Sequence, residues 1–389
     1  MYKIRTYNTI ATQGLEKFPR ASYEVASELP QPEAFILRSQ KLHDEVFPNG
    51  LLAIARAGAG TNNVPVERCT KEGIVVFNTP GANANAVKEL VLAGLLLSSR
   101  GIIEGINYAN DMDKDLDESV LSKNMEAQKK HFKGTELAGK TLGVIGLGAI
   151  GSMVANMGIA LGMKVVGYDP AMSIEAAWRL SSDVEKMDNV PSLMSRSDFV
   201  SLHVPAIPAT KHLINKESLA TAKDNICILN FARDQIVDVD AIITAMEVGK
   251  VGRYVADFPV PALIGHKKAI MMPHIGASTR EAEENCAIMA ANQLIDFLEN
   301  GHILNSVNFP LASMQRTTDH RITICNENVA GVLGHVLSVL ADESINVVDM
   351  LNKSRDNIAY NILDLEEKPS QAILDKIMNV EHVMSVRAL

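Results

Sequence analysis

The chain has 389 residues, 47% of them apolar and 21% charged, enough for two or three domains with substantial cores. A net charge of −9 and a pI near 5.6 argue against nucleic acid and anionic membranes as partners. No apolar run approaches a bilayer span, the N-terminus lacks a signal-peptide core, and Cys69, Cys227, Cys286 and Cys325 stand singly, so the expectation is a cytoplasmic protein without a metal site.

In chain order, strand-like runs at 3–7, 34–37, 52–57 and 74–77 alternate with helical or polar stretches, the pattern of a small parallel sheet. The run 34–37 delivers Arg38 at its end. The stretch IARAGAGTN at 54–62 ends a strand near Arg56 and continues through Gly58 and Gly60. Such a loop suits a carboxylate or phosphate, although an ordinary strand-to-helix turn would look the same. A long helical stretch from 86 to about 110 reads as a connector between domains. Residues 111–119 are acidic and read as a solvated loop. The cluster Lys129-Lys130-His131-Phe132-Lys133 is either a solvated face or an anion contact.

The strongest signal is TLGVIGLGAIGSMVANMGIALGMKVVGYDP at 141–170, which reads strand, glycine turn, helix, strand. Gly146 allows the tight turn, Gly148 lets a pyrophosphate approach the backbone, and Gly151 lets helix and strand pack closely. A helix opening near Ala149 and Ile150 points its free N–H groups at phosphates. Asp169, at the end of the second strand, suits an unmodified ribose and would repel a 2′-phosphate, which favours NAD over NADP.

Strands at 199–204, 226–230, 254–256 and 269–272 follow, and three of them run into Arg233, Asp257 and His274. Ligands of doubly wound sheets sit outside the carboxyl ends of the strands, which makes these three candidates for one site. NAD with an arginine and a histidine there suggests hydride exchange at a carbinol carbon. The arginine would fork onto a substrate carboxylate, and the histidine would exchange the hydroxyl proton. After a helix at 279–300 and a loop at 302–318, residues 321–387 read βαββαβ, the ferredoxin-like order.

The motifs ARAGAGTNN, FNTPGANANAVKEL, GTELAGKTLGVIGLGAIG, LHVPAIPATKHLIN, LNFARDQIVD and PHIGAST stand in the order of a known family. The sequence resembles the D-isomer-specific 2-hydroxyacid dehydrogenases, most closely the branch acting on 3-phosphoglycerate. The resemblance implies an α/β protein of three parts. They are a flavodoxin-like discontinuous substrate domain (1–95 plus 281–310), a doubly wound Rossmann-type NAD domain (96–280) and a ferredoxin-like ACT domain (319–389). It implies Arg233 and His274 as catalytic, with Pro205, Thr210, Ala232, Asp257 and Gly276 around the cofactor. Arg38, Arg56, Ala57, Gly58 and Lys129 would meet a phosphorylated 2-hydroxy acid. A homodimer or homotetramer is expected.

Two departures bear on this expectation. The family usually carries a glutamate that hydrogen-bonds the catalytic histidine; that position is Ala262 here, or Pro261 in the alternative alignment. Without it, reduction is expected to weaken at a lower pH than in a glutamate-bearing relative. In the ACT unit, serine-sensing versions have a histidine and a proline where this chain has Asn326 and Ala330, while Asn328 and Asn346 match. An amino-acid effector at Asn326, Asn328 and Asn346 is therefore one reading. Two other readings of the whole chain are a reductase of another 2-oxo acid, such as 2-oxoglutarate, and a non-catalytic NAD-responsive binding protein.

Overall fold

The computed structural model describes all 389 residues, in two compact units: Met1–Asn83 with Arg280–Leu389, and Ala84–Thr279. The first unit holds a five-stranded parallel sheet of β1 (Tyr2–Thr6), β2 (Tyr23–Ala26), β3 (Ala34–Leu37), β4 (Ala53–Arg56) and β5 (Val75–Phe77). Its order, β2-β1-β3-β4-β5, is the flavodoxin-like winding, with its switch point between β1 and β3. The central strands are buried on both faces, which is why they read as continuous apolar runs. The helix Arg280–Asn300 returns to cover one face, burying Cys286, Ala287, Ala290, Ala291, Leu294, Phe297 and Leu298. Its alanines permit close approach, and a Cβ added at Gly14 would lie 2.5 Å from Ala287.

The second unit is a seven-stranded parallel sheet of β6 (Thr141–Ile145), β7 (Lys164–Tyr168), β8 (Glu185–Lys186), β9 (Phe199–Leu202), β10 (Ile226–Asn230), β11 (Val251–Ala256) and β12 (Ala269–Met271). The order β12-β11-β10-β9-β6-β7-β8 puts the switch point between β6 and β9. The connector is two helices, Ala84–Ser99 and Ile102–Asn110, broken at Arg100 and Gly101, and the first belongs wholly to this unit. The division between compact units therefore falls at 83/84 and not near 95.

The carboxyl end of the chain forms β13 (His320–Glu327), β14 (Val347–Arg355), β15 (Ile358–Leu365) and β16 (Val383–Ala388), antiparallel in the order β14-β15-β13-β16. One face packs Ile322, Ile324 and Leu363 against Val336 and Leu340 of helix Val332–Asp342 and Ile373 and Ile377 of helix Gln371–Met378. The other face turns Cys325, Ile358, Tyr360 and Ile362 into the core that holds Phe297 and Phe309. This ferredoxin-like module thus shares a core with the first sheet and falls in the same compact unit. A buried fork completes the junction. Arg321 Nε and Nη2 donate to Asp364 Oδ1 and Oδ2 at 2.6 and 2.9 Å, and Nη1 donates to Asn300 O at 3.0 Å. Beside it, Tyr360 OH donates to Gly301 O at 2.8 Å, where Gly301 ends the helix at φ +72°.

Candidate functional site

In the second unit the glycine turn has the geometry a dinucleotide needs. Gly146 has φ +89°, and a Cβ there would meet His203 O at 2.6 Å. A Cβ on Gly151 would lie 1.8 Å from Gly146 O, so only glycine lets the helix Ala149–Ala160 sit this close to the turn. Above Gly148 nothing lies within 4 Å, leaving open space at the helix N-terminus. Asp169 accepts from Leu147 N at 2.8 Å and Ala171 N at 2.9 Å, so the carboxylate that follows the second strand also fixes the glycine turn. The residues present fit an NAD cofactor.

His203 closes the floor of this turn. Its Nε2 pairs with Ser201 Oγ at 2.8 Å and its Nδ1 is buried without a partner. Burial pushes the imidazole down to about 3, so it stays neutral at physiological pH. Nearby, Thr210 Oγ1 accepts from Ile207 N and donates to Pro205 O, which ties the predicted Pro205 and Thr210 into one turn.

Arg233 and His274 leave β10 and β12 at the same edge of the sheet. Buried Asn230 sets the first: its Oδ1 accepts from Ala232 N and its Nδ2 donates to Arg233 O. Asp257 sets the second. It is 2% exposed, and its oxygens accept from Ile275 N at 2.8 Å and Gly276 N at 2.6 Å. Its side chain therefore holds the loop that carries His274. That histidine has φ +57°, the left-handed region, a strain that marks functional loops. The Phe258 ring touches both groups, with its centroid 4.7 Å from the His274 ring and 5.5 Å from Arg233 Cζ. His274 forms no ion pair, and Ala262 is exposed in the turn Pro261–Leu263, which is anchored by buried Leu263, so no carboxylate pairs with the histidine. Asn230 and Phe258 were not singled out from sequence. The available signals were a polar residue closing an apolar strand and an aromatic directly after a strand-end aspartate.

In the first unit, Arg38 and Arg56 leave β3 and β4 side by side. Arg38 O accepts from Arg56 Nε at 3.1 Å and Asn63 Nδ2 at 3.3 Å. Gly58, at φ +150°, leaves room for the Arg56 guanidinium, which would lie 1.7 Å from a Cβ there. Ala57 is buried and bonded to Leu37 O. Asn8, unnoticed in the sequence, accepts from Ser39 N and Gln40 N at 3.0 and 2.7 Å and fixes the loop after Arg38 at the switch point. Lys129 is an exposed residue of the second unit paired with Glu126.

The three asparagines of the carboxyl-terminal module do not converge. Asn326 is buried, donating to Glu327 O and accepting from Asn361 Nδ2 at 2.8 Å. Asn328, exposed, donates to Asp356 O at 3.1 Å. Asn346 lies at the other end of the sheet, where its carbonyl accepts from Glu366 N.

A glycine turn at a helix N-terminus with an acidic residue after the next strand, on a doubly wound parallel sheet, defines the class as a dinucleotide-binding protein. Residues 108–276 match the family "D-isomer specific 2-hydroxyacid dehydrogenase, NAD binding domain". D-3-phosphoglycerate dehydrogenase of Haemophilus influenzae is 32% identical over 87% of this chain and 81% of its own length. The chain belongs to the D-isomer-specific 2-hydroxyacid dehydrogenases. D-3-phosphoglycerate dehydrogenase of Synechocystis is 37% identical over 74% of this chain, and the match spans only 50% of the Synechocystis protein. An NAD-bound 3-phosphoglycerate dehydrogenase structure from Entamoeba histolytica aligns with a TM-score of 0.61 at 26% identity, over 79% of this chain and 98% of that one. No helix is long and apolar enough to cross a membrane.

Proposed function

We propose that the protein oxidises 3-phospho-D-glycerate to 3-phosphohydroxypyruvate with NAD, which when bound would supply the hydride acceptor. Arg233 forks onto the substrate carboxylate and His274 accepts the hydroxyl proton; the family resemblance assigns the phosphoryl end to Arg38. The observation that carries this is the pair Arg233 and His274, set on one Phe258 ring by Asn230 and Asp257 at the carboxyl edge of the NAD-binding sheet. The relatives named as 3-phosphoglycerate dehydrogenases support the substrate. His274→Ala is expected to lower turnover about 100- to 10,000-fold while NAD still binds. Retained turnover would remove His274 from the chemistry, and absence of turnover in the unaltered protein would favour a binding protein.

On the same reading the enzyme works in the cytoplasm as a homodimer or homotetramer, which light scattering measures. Its carboxyl-terminal module takes an amino acid between two copies of the chain, Asn328 from one and Asn346 from the other, because the two lie at opposite ends of the sheet within one chain, with Asn326 as a buried support. Titrating activity with millimolar serine tests this, and a flat response counts against it.

A further inference from the structure

The switch point of the first sheet carries two guanidiniums, and Arg38 is already paired. Its Nη1 lies 2.7 Å from Glu283 Oε1, with the side chains 41% and 43% exposed. Glu283 stands in the first turn of helix Arg280–Asn300, where the N–H groups and helix dipole favour a carboxylate. One turn on, the Cys286 thiol, raised chiefly by burial, is lowered by Arg56 and Arg38 and raised by Glu283, so these groups share one electrostatic neighbourhood.

Any anion that takes Arg38 therefore meets a resident carboxylate. We propose that Glu283 is a specificity-determining residue that penalises ligands by the charge of the end they present to Arg38, a dianionic phosphoryl group more than a neutral one. This rests on the reading above, in which Arg38 receives that end. Glu283 supplies the counter-charge that Arg38 needs when no ligand is present, and the ligand must share or displace it. The repulsion scales with ligand charge and falls with screening at a half-exposed site. Arg38 alone would favour the most highly charged ligand, and the pair moderates that preference.

The test compares Glu283→Gln and Glu283→Asp with the unaltered protein. Each is saturated with NAD and titrated calorimetrically with 3-phospho-D-glycerate and with D-glycerate, and KM and kcat are measured for both. Thermal melting confirms that each variant is folded. Glu283→Gln is expected to tighten phosphoglycerate over D-glycerate by about ten-fold, with the change in KM and not kcat, and Glu283→Asp to keep the original ratio. An unchanged ratio in Glu283→Gln, with turnover intact, overturns this inference alone. Equal shifts for both ligands also overturn it, since a merely structural role gives that result. If the unaltered protein neither binds nor turns over either compound, the proposed function fails, and this inference with it.

Discussion

Two buried carboxylates do opposite work in the two units. Asp257 answers to no cation; two backbone N–H groups hold it, and it fixes a loop whose histidine is exposed and strained. Asp364 answers to Arg321 in a closed fork, with Thr317 adding two more bonds, and it fixes a module against a helix end. Burial alone would raise the Asp364 carboxyl, but the guanidinium and the Thr317 bonds hold it below the usual carboxylate range. A carboxylate held by backbone amides shapes the chain locally, whereas one held by a distant side chain joins segments far apart in sequence. Loss of the first should appear mainly in turnover, and loss of the second mainly in stability.

The largest effect is expected at the fork. Arg321→Met leaves Asp364 buried without its cation, at a cost of about 3–5 kcal/mol, read from the urea midpoint, with turnover per folded molecule retained. Asp257→Asn leaves one loop N–H without an acceptor, at about 1–3 kcal/mol, and turnover should fall far more than stability. A large stability loss with normal turnover would reverse the contrast.

Acid should separate the units next. His203 is held down to about 3 in the fold, below the ordinary imidazole value of about 6.5. Between those values the unfolded chain binds the extra proton, so stability falls as pH drops through that window. Asp364 acts lower. Its stabilisation is complete above the unfolded carboxyl value of about 4 and is lost as pH falls through its depressed folded value. His203→Asn should flatten the pH 4–6 part of the stability curve, and Arg321→Met the part below about 4. The smallest effect is at the glycine turn. Gly148→Ala should leave the melting temperature unchanged and weaken NAD binding about ten-fold, because its Cβ enters open space meant for phosphate.

Much of this was legible in the sequence wherever one local pattern implies one geometry. The run GLGAIG followed by a strand ending at Asp169 set the nucleotide turn, and βαββαβ was readable at the carboxyl end. The strand Tyr23–Ala26 escaped because it is short, at a sheet edge and buries only Tyr23. The helix Glu118–Gln128 escaped because it buries nothing, so no apolar period marks where it begins at the end of the acidic stretch 111–119. The Arg321–Asp364 fork, 43 residues apart, and the Arg38–Glu283 pair could not be read, since no periodicity announces a contact made across the fold.

The helix Arg280–Asn300 has Glu283 in its first turn, and its last residue and Gly301 are gripped by Arg321 and Tyr360. Its 21 residues span about 30 Å without a break. It joins the carboxyl-terminal module at one end to Glu283, the partner of Arg38, at the other. Because that whole length is packed into the core of the first sheet, the Arg38–Glu283 pair and the carboxyl-terminal module are seated on one continuous packed element.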